Sequence, residues 1–182
     1  MNINIACCIT LLRILLTPVV VMLMLQNSWT IALMVFLVAV ATDVIDGFVA
    51  RKLQQSSKFG QLLDPVADKI LLGTVLYTML MMMSSSALYA VAVYFLLCKE
   101  LILLGGGGLL WFWFKIFIPP SVLSRAVSLC EVIFVLAVLV SKACIIEFPE
   151  IVLLLILSIN VVLSVWLLVR YAWLLRKTFK RV

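Results

Sequence analysis

The sequence contains no histidine, and only 12% of its 182 residues are charged. Without an imidazole, a chain cannot use a serine–histidine hydrolytic pair or a phosphohistidine intermediate, and a zinc site built on histidine is excluded. Five cysteines are present, but no two of them have the Cys-x2-Cys spacing of a zinc site, and they give no disulfide framework. We interpret these cysteines as small apolar packing residues.

Apolar residues dominate what is present: 66% of the chain is hydrophobic and its mean hydropathy is +1.32. Soluble domains have about 45–50% apolar residues, so this excess predicts an integral membrane protein. Because the apolar runs are long and do not alternate with polar residues, they predict spanning helices rather than a barrel. The sequence therefore predicts an all-α fold with six transmembrane helices, at residues 12–26, 29–50, 65–83, 87–113, 122–146 and 151–175.

Positive charge is concentrated in every second connection between these segments. Lysine and arginine are frequent in 51–60, 115–121 and 176–181, whereas the connections between them carry a single lysine, Lys142. By the positive-inside rule, both termini are predicted to lie in the cytosol, as in a bacterial inner-membrane protein. The net charge of +6 then indicates a membrane surface and not nucleic acid.

Residues 1–182 show no repeat, so we predict a single membrane domain. The first apolar run has no basic residues before it and is interrupted by Arg13, so we do not expect a cleaved signal peptide. The glycine run at 105–108 lies within the fourth predicted span, where it favours close helix packing or a dimer contact.

Four aspartates lie at the ends of the second and third predicted spans: Asp43, Asp46, Asp64 and Asp68. An ionisable group within a span costs about 2.5–3.5 kcal/mol on insertion scales. The spacings i, i+3 and i, i+4 place each pair on one face of its helix. Because the two spans are antiparallel neighbours, we predict that all four carboxylates meet near the cytosolic side.

Four like charges in a low-dielectric site cannot all stay ionised unless cations lie among them. Carboxylate oxygens are ligands that Mg²⁺ and Mn²⁺ prefer, and these ions leave coordination positions open for substrate phosphates. We therefore predict a cytosol-facing metal site formed by all four aspartates. Asp64 is also predicted to cap the third span, with Pro65 in its first turn.

Small and basic residues accompany the aspartates. Gly47 and Ala50 share the face of the first pair and predict a groove for a nucleotide, with tight helix packing as the alternative. Arg51 can bind a diphosphate through two nitrogens, or can simply anchor the helix at the membrane surface. Gly60 would allow the connecting loop to turn back close to the site.

Read together, these residues give the pattern Asp43-x2-Asp46-Gly47-x2-Ala50-Arg51-x8-Gly60-x3-Asp64-x3-Asp68. This pattern resembles the signature of the CDP-alcohol phosphotransferases, and all eight of its fixed positions match. The resemblance implies a six-helix homodimer that transfers a phosphatidyl group from CDP-diacylglycerol to an alcohol and releases CMP. It also implies two divalent metal ions on the diphosphate and a role for Asp68 as the base.

The alcohol acceptor is less closely defined. The start of the chain, Asn4-Ile5-x4-Thr10-Leu11-Leu12-Arg13-x4-Pro18, is similar to the phosphatidylglycerophosphate synthase branch of that family, which uses glycerol 3-phosphate. Lys99 and Arg125 are placed to bind an anionic acceptor, although each alone can also be an interfacial charge. The segment 120–126 is closer to the cardiolipin synthase branch, which uses phosphatidylglycerol.

A cation transporter or channel is the non-enzymatic alternative, because intramembrane carboxylates also form ion paths. Such a path predicts carboxylates near the bilayer midplane on several helices. Here they collect at one end of two helices, beside small residues, which favours the enzyme.

Overall fold

The computed structural model describes the backbone of residues 5–53, 58–82, 87–114 and 122–179, and the side chains of 11–42, 66–82, 87–106 and 122–176. These residues form six α-helices, which confirms the all-α prediction for the described part of the chain. The helices are α1 (Ile5–Leu25), α2 (Trp29–Leu53), α3 (Lys58–Met82), α4 (Ala87–Phe114), α5 (Val122–Lys142) and α6 (Glu150–Phe179).

Among the described residues, three helices are long and apolar enough to cross a membrane, at Ala87–Gly106, Val122–Lys142 and Glu150–Arg176. Shorter apolar helical segments lie at Leu11–Leu25 and Trp29–Thr42. Some threonine hydroxyl groups bond within their own helix: Thr17 donates to the carbonyl of Arg13 at 2.9 Å, and Thr78 to that of Thr74 at 2.8 Å. Such bonds within a helix suit a medium that offers no water to polar groups.

A left-handed residue ends α1 where the sequence predicted a turn. Asn27 has φ 57°, and the amides of Asn27 and Ser28 donate to the carbonyls of Met24 and Leu23, both at 2.9 Å. This is the Schellman arrangement, in which asparagine tolerates positive φ better than most residues. The predicted connection at 26–28 is confirmed.

The same Schellman arrangement ends α5 earlier than predicted. Cys144 has φ 56°, and the amides of Cys144 and Ile145 donate to the carbonyls of Ser141 and Val140 at 3.2 and 3.3 Å. Hydropathy alone extended the fifth segment to residue 146, and that boundary is wrong because the backbone reverses into a cap after Lys142.

The start of α3 also differs from the prediction. The helix begins at Lys58, so Asp64 and Pro65 lie inside it and Asp64 is not its N-cap. The residues before Pro65 are mainly helix formers, and one proline removes only one backbone hydrogen bond from a long helix. The predicted loop at 51–60 is therefore mostly helical, since α2 continues to Leu53.

Contacts divide the chain into two compact units, and each is described separately. The first comprises Met1–Met83 with Val138–Glu147. In it, α1 packs against both α2 and α3. Its apolar core is closely packed and includes Val20, Met24, Leu33, Phe36, Leu72, Leu76 and Met79, each at most 3% exposed. Large apolar side chains also face outward, as expected for helices in lipid, among them Leu15, Met22, Met34 and Met81.

The second unit comprises Ser84–Ala137 with Phe148–Val182. In it, α4 packs against α6, and the rings of Tyr89 and Phe134 lie 6.2 Å apart between α4 and α5. The amide nitrogen of Asn160 donates to the Cys130 carbonyl at 3.1 Å and so connects α6 to α5. Asn160 is fully buried, so this polar bond is made inside the unit. The prediction of one domain stays a prediction.

Glycine does not bring helices unusually close at the two described positions of the 105–108 run. A Cβ atom on Gly105 would meet nothing within 4 Å, and one on Gly106 would meet the Tyr171 ring at 3.8 Å, an ordinary contact. Close packing within the chain is therefore the wrong interpretation for these two residues. The dimer contact stays a prediction, and Gly107 and Gly108 lie outside the residues whose side chains are described.

Candidate active site

Two helices that follow one another in the chain carry the four aspartates, and both helices are continuous across them. Asp43 and Asp46 belong to α2, Asp64 and Asp68 to α3, and all four are in the first unit. The side chain of Asp68 is half-buried, whereas those of the other three aspartates lie outside the described residues. Their predicted meeting at a metal site stays a prediction.

The buried stripes of α2 and α3 lead directly to the aspartate positions. On α2, Phe36 and Ala39 are fully buried, and the helical steps of three and four residues continue from them to Asp43 and Asp46. Exposed Ala41 marks the opposite, outer face of α2. On α3, the buried residues Leu72 and Val75 follow Asp68 at the same spacing. The aspartate positions thus continue the helical spacing of the buried residues on α2 and α3.

The other predicted donor-site residues lie on the same two helices. Gly47, Ala50 and Arg51 are in α2, and Gly60 is in the first turn of α3; their side-chain positions lie outside the described part. The prediction that Gly60 bends a loop is wrong, because it lies in a helix. Its contribution to a CDP-lipid site, like that of the other three, stays a prediction.

A buried arginine lies on α1, in the first unit. Arg13 is 1% exposed and begins a buried stripe that continues with Thr17, Val20 and Met24, each at most 3% exposed. This stripe belongs to the helix that packs against α2 and α3. The burial of Arg13 was not predicted from the sequence, where Arg13 served as part of a resemblance and as evidence against a signal peptide; its signal was a single cation within an apolar run.

Lys99, a predicted acceptor residue, lies in a buried charge cluster in the second unit. Its Nζ is 2.6 Å from Glu100 Oε1 and also contacts Glu131 Oε1 on α5. Lys99, Glu100 and Glu131 are 1%, 3% and 0% exposed. Burying charges is tolerated when they are paired in this way. Sequence reasoning missed Glu131, although an acid within a predicted span was a signal.

This charge cluster contains two carboxylates and one ammonium group, so its formal charge with all three ionised is −1. The electrostatic attraction of Lys99 for an anion is therefore offset by its two partners. Arg125, the second predicted acceptor residue, is exposed in the first turn of α5. The roles of both residues at an acceptor site stay predictions.

Within the described side chains, no group of three or more acidic or cysteine residues is placed to hold a metal ion. Of the predicted metal ligands, only Asp68 belongs to that part of the chain. The Lys99 cluster offers two carboxylates, but its own lysine occupies the space between them.

Long apolar helices with paired buried charges define an integral membrane protein. The family model described as CDP-alcohol phosphatidyltransferase matches residues 3–173. The chain therefore belongs to the CDP-alcohol phosphatidyltransferase family, which confirms the resemblance seen in the aspartate pattern.

Several curated relatives carry the name CDP-diacylglycerol–glycerol-3-phosphate 3-phosphatidyltransferase. The chain is 47% identical over 76 residues to one from Pseudomonas fluorescens and 45% identical over 74 residues to one from Wigglesworthia glossinidia brevipalpis. It is 43% identical over 79 residues to one from Escherichia coli strain K12. These matches cover 40%, 39% and 42% of this chain, and 39%, 41% and 43% of the relatives, so the chain spans about two fifths of their length.

Proposed function

We propose that the chain transfers a phosphatidyl group from CDP-diacylglycerol to glycerol 3-phosphate and releases CMP. Family membership over residues 3–173 carries this proposal. The acceptor rests on the names of relatives that are 43–47% identical in the matched segment. A transferase family also argues against the cation transporter or channel.

The aspartates are the residues that would hold two Mg²⁺ or Mn²⁺ ions, because their carboxylate oxygens are the donors these ions prefer. When bound, the ions would neutralise charge on the diphosphate and on the departing CMP. The i, i+3 and i, i+4 spacings of the aspartates on two helices that both pack against α1 support such a site. The half-buried position of Asp68 fits a residue that is held by the fold and yet remains open to a substrate.

Asp68 is proposed to accept the proton of the acceptor hydroxyl as its oxygen attacks the phosphatidyl phosphorus. The bond from that phosphorus to the CMP oxygen breaks in the same displacement, since the chain has no histidine for a phosphohistidine intermediate. Gly47, Ala50 and Gly60 are proposed to leave room for the nucleotide, and Arg51 to bind the diphosphate.

The proposed arrangement has six transmembrane helices in one domain, with both termini and the metal site on the cytosolic side of a bacterial inner membrane. The distribution of lysine and arginine supports this orientation. CDP-diacylglycerol would reach the site from the lipid, and polar reactants from the cytosol. A homodimer is part of the proposal, with the exposed position of Gly105 available for a contact between copies.

The second candidate is a cardiolipin synthase, which uses phosphatidylglycerol. Two observations favour it: the segment 120–126 lacks the lysines of the glycerol 3-phosphate branch, and Lys99 is already paired with Glu100 and Glu131. In that case Lys99 and Arg125 would not be needed to bind the phosphate of a small anionic acceptor.

Release of CMP by purified protein tests both candidates. With CDP-diacylglycerol and Mg²⁺ or Mn²⁺, we expect glycerol 3-phosphate to support release at least about tenfold faster than phosphatidylglycerol, because a site shaped for a small phosphate monoester discriminates against a bulky phosphodiester lipid. The matched control contains EDTA and should release no CMP. A preference for phosphatidylglycerol would establish the second candidate, and no release with any alcohol would overturn the enzymatic proposal.

A further inference from the structure

Arg13 is a buried cation of the first unit, and its environment limits what it can do. The whole residue is 1% exposed, and each of its guanidinium nitrogens is buried. A guanidinium does not lose its proton in proteins, so Arg13 carries its charge inside the unit. A paired anionic group is the partner that stabilises such a buried charge most.

The first unit contains few acids that can serve as that group. Its sequence includes the four aspartates of α2 and α3, together with Glu147, which is exposed after the end of α5. Because α1 packs against both α2 and α3, the aspartates are the anions that the fold brings to the helix carrying Arg13.

The tight turn between α1 and α2 fixes which of the two α2 aspartates is level with Arg13. Arg13 lies twelve residues before the end of α1 at Leu25, and Ala41 lies twelve residues after the start of α2 at Trp29. Both are therefore about 18 Å from the turn, and Asp43 is about 3 Å further along the axis. Side chains lean toward the N-terminus of their helix, so Arg13 leans along α1 in the direction of Asp43.

The face of α2 agrees with this register. Asp43 follows the fully buried residues Phe36 and Ala39 by seven and four residues, so its position continues the stripe directed into the unit. Arg13 starts the corresponding buried stripe of α1. Arg13 and the Asp43 position thus lie at about the same level of two packed helices.

We propose that Arg13 is a positioning residue of the aspartate site, whose guanidinium pairs with the carboxylate of Asp43 and fixes its orientation. The guanidinium nitrogens of Arg13 are buried, so Arg13 does not contact the lipid donor. It acts through the carboxylate of Asp43. The catalytic consequence rests on the proposed function, whereas the ion pair itself does not.

A double-mutant cycle on the metal-free protein tests the ion pair without using activity. Thermal unfolding is measured in detergent with EDTA for Arg13→Met, Asp43→Asn and the double variant. We expect Arg13→Met to lower Tm by about 10 °C, as breaking a buried ion pair does in a chain of this size. The double variant should lose clearly less than the sum of the two single changes.

Asp46→Asn is the matched control, since it makes the same change about one helical turn away. Coupling of Arg13 that is larger for Asp43 than for Asp46 supports the proposal. Additive shifts, or equal coupling with both aspartates, would overturn it. If Arg13→Met does not fold, Arg13→Gln takes its place in the cycle, because glutamine removes the charge and still fills most of the space with a polar side chain.

Steady-state kinetics distinguish a residue that positions Asp43 from a residue that binds CDP-diacylglycerol. In folded Arg13→Lys, we expect kcat to fall about tenfold while KM for CDP-diacylglycerol changes less than about threefold, since a misplaced ligand slows chemistry. The exposed residue Arg170 provides the control Arg170→Lys, with unchanged kinetics. An unchanged kcat, or a rise in KM alone, would overturn the positioning role. Complete inactivity of the unmodified protein would instead refute the proposed function, and the unfolding cycle would still decide the ion pair.

Discussion

Replacing Asp68 with asparagine should lower kcat for phosphatidyl transfer by about 1000-fold or more, because the amide cannot accept the proton of the attacking hydroxyl. Asparagine has nearly the same shape, and Asp68 is only half-buried, so the fold should persist. The measurement is CMP release at saturating CDP-diacylglycerol and divalent metal ion, together with KM for the donor.

Glu147→Gln makes the same change of charge at an exposed position in the same unit and should leave turnover unaltered. The thermal unfolding of both variants should match that of the unmodified protein within a few degrees. If folded Asp68→Asn retains near-normal kcat, Asp68 is not the base, and the proposed proton transfer is wrong.

The second large effect is expected on the stability of the protein, when the buried charge cluster of the second unit loses its lysine. Lys99→Met should lower the free energy of unfolding by about 3–5 kcal/mol, because it leaves the buried carboxylates of Glu100 and Glu131 without their cation. Denaturant unfolding in detergent micelles measures this change. Lys142→Met, at an exposed lysine, is the matched control and should cost less than about 0.5 kcal/mol.

Glu131→Gln should be far milder, at about 1 kcal/mol or less, although Glu131 is fully buried. The cluster has one carboxylate more than it has cations, so removing one leaves a balanced pair of Lys99 and Glu100. The glutamine oxygen can still accept a hydrogen bond from Lys99. An equal loss in Glu131→Gln and Lys99→Met would mean that charge balance does not stabilise this cluster.

Hydropathy was sufficient to predict the number and order of the described helices. Apolar runs of about 20 residues have few alternatives to helix in a membrane, so the six segments could be placed within several residues. The turn at 26–28 was also predictable, because asparagine and serine interrupt the apolar run and Asn27 can adopt positive φ.

Helix ends were harder to predict where they depend on backbone geometry or tolerate an unfavourable residue. Cys144 gives no sequence signal for a left-handed cap, so hydropathy extended α5 past Lys142. Pro65 suggested a first turn, but α3 starts seven residues earlier. A proline marks a helix start reliably only when the residues before it cannot form a helix.

The spacing of the aspartates along their helices could be read from the sequence, but the burial of Arg13 and the pairing of Lys99 could not. Periodicity places the aspartates on single stripes of α2 and α3, because every member of each pair belongs to one helix. The pairing of Lys99 with Glu131 joins residues 32 positions apart on two helices, so it required tertiary packing. The burial of Arg13 likewise depends on how α1 lies against α2 and α3.

The central claim is that carboxylates from α2 and α3 share bound divalent metal ions. Counting bound Mn²⁺ per chain by electron paramagnetic resonance, with purified protein and CDP-diacylglycerol, tests this claim most directly. We predict two ions per chain in the unmodified protein, and loss of both when all four aspartates are replaced by asparagine. Retention of two ions by that variant, or no bound ion in the unmodified protein, would contradict the claim.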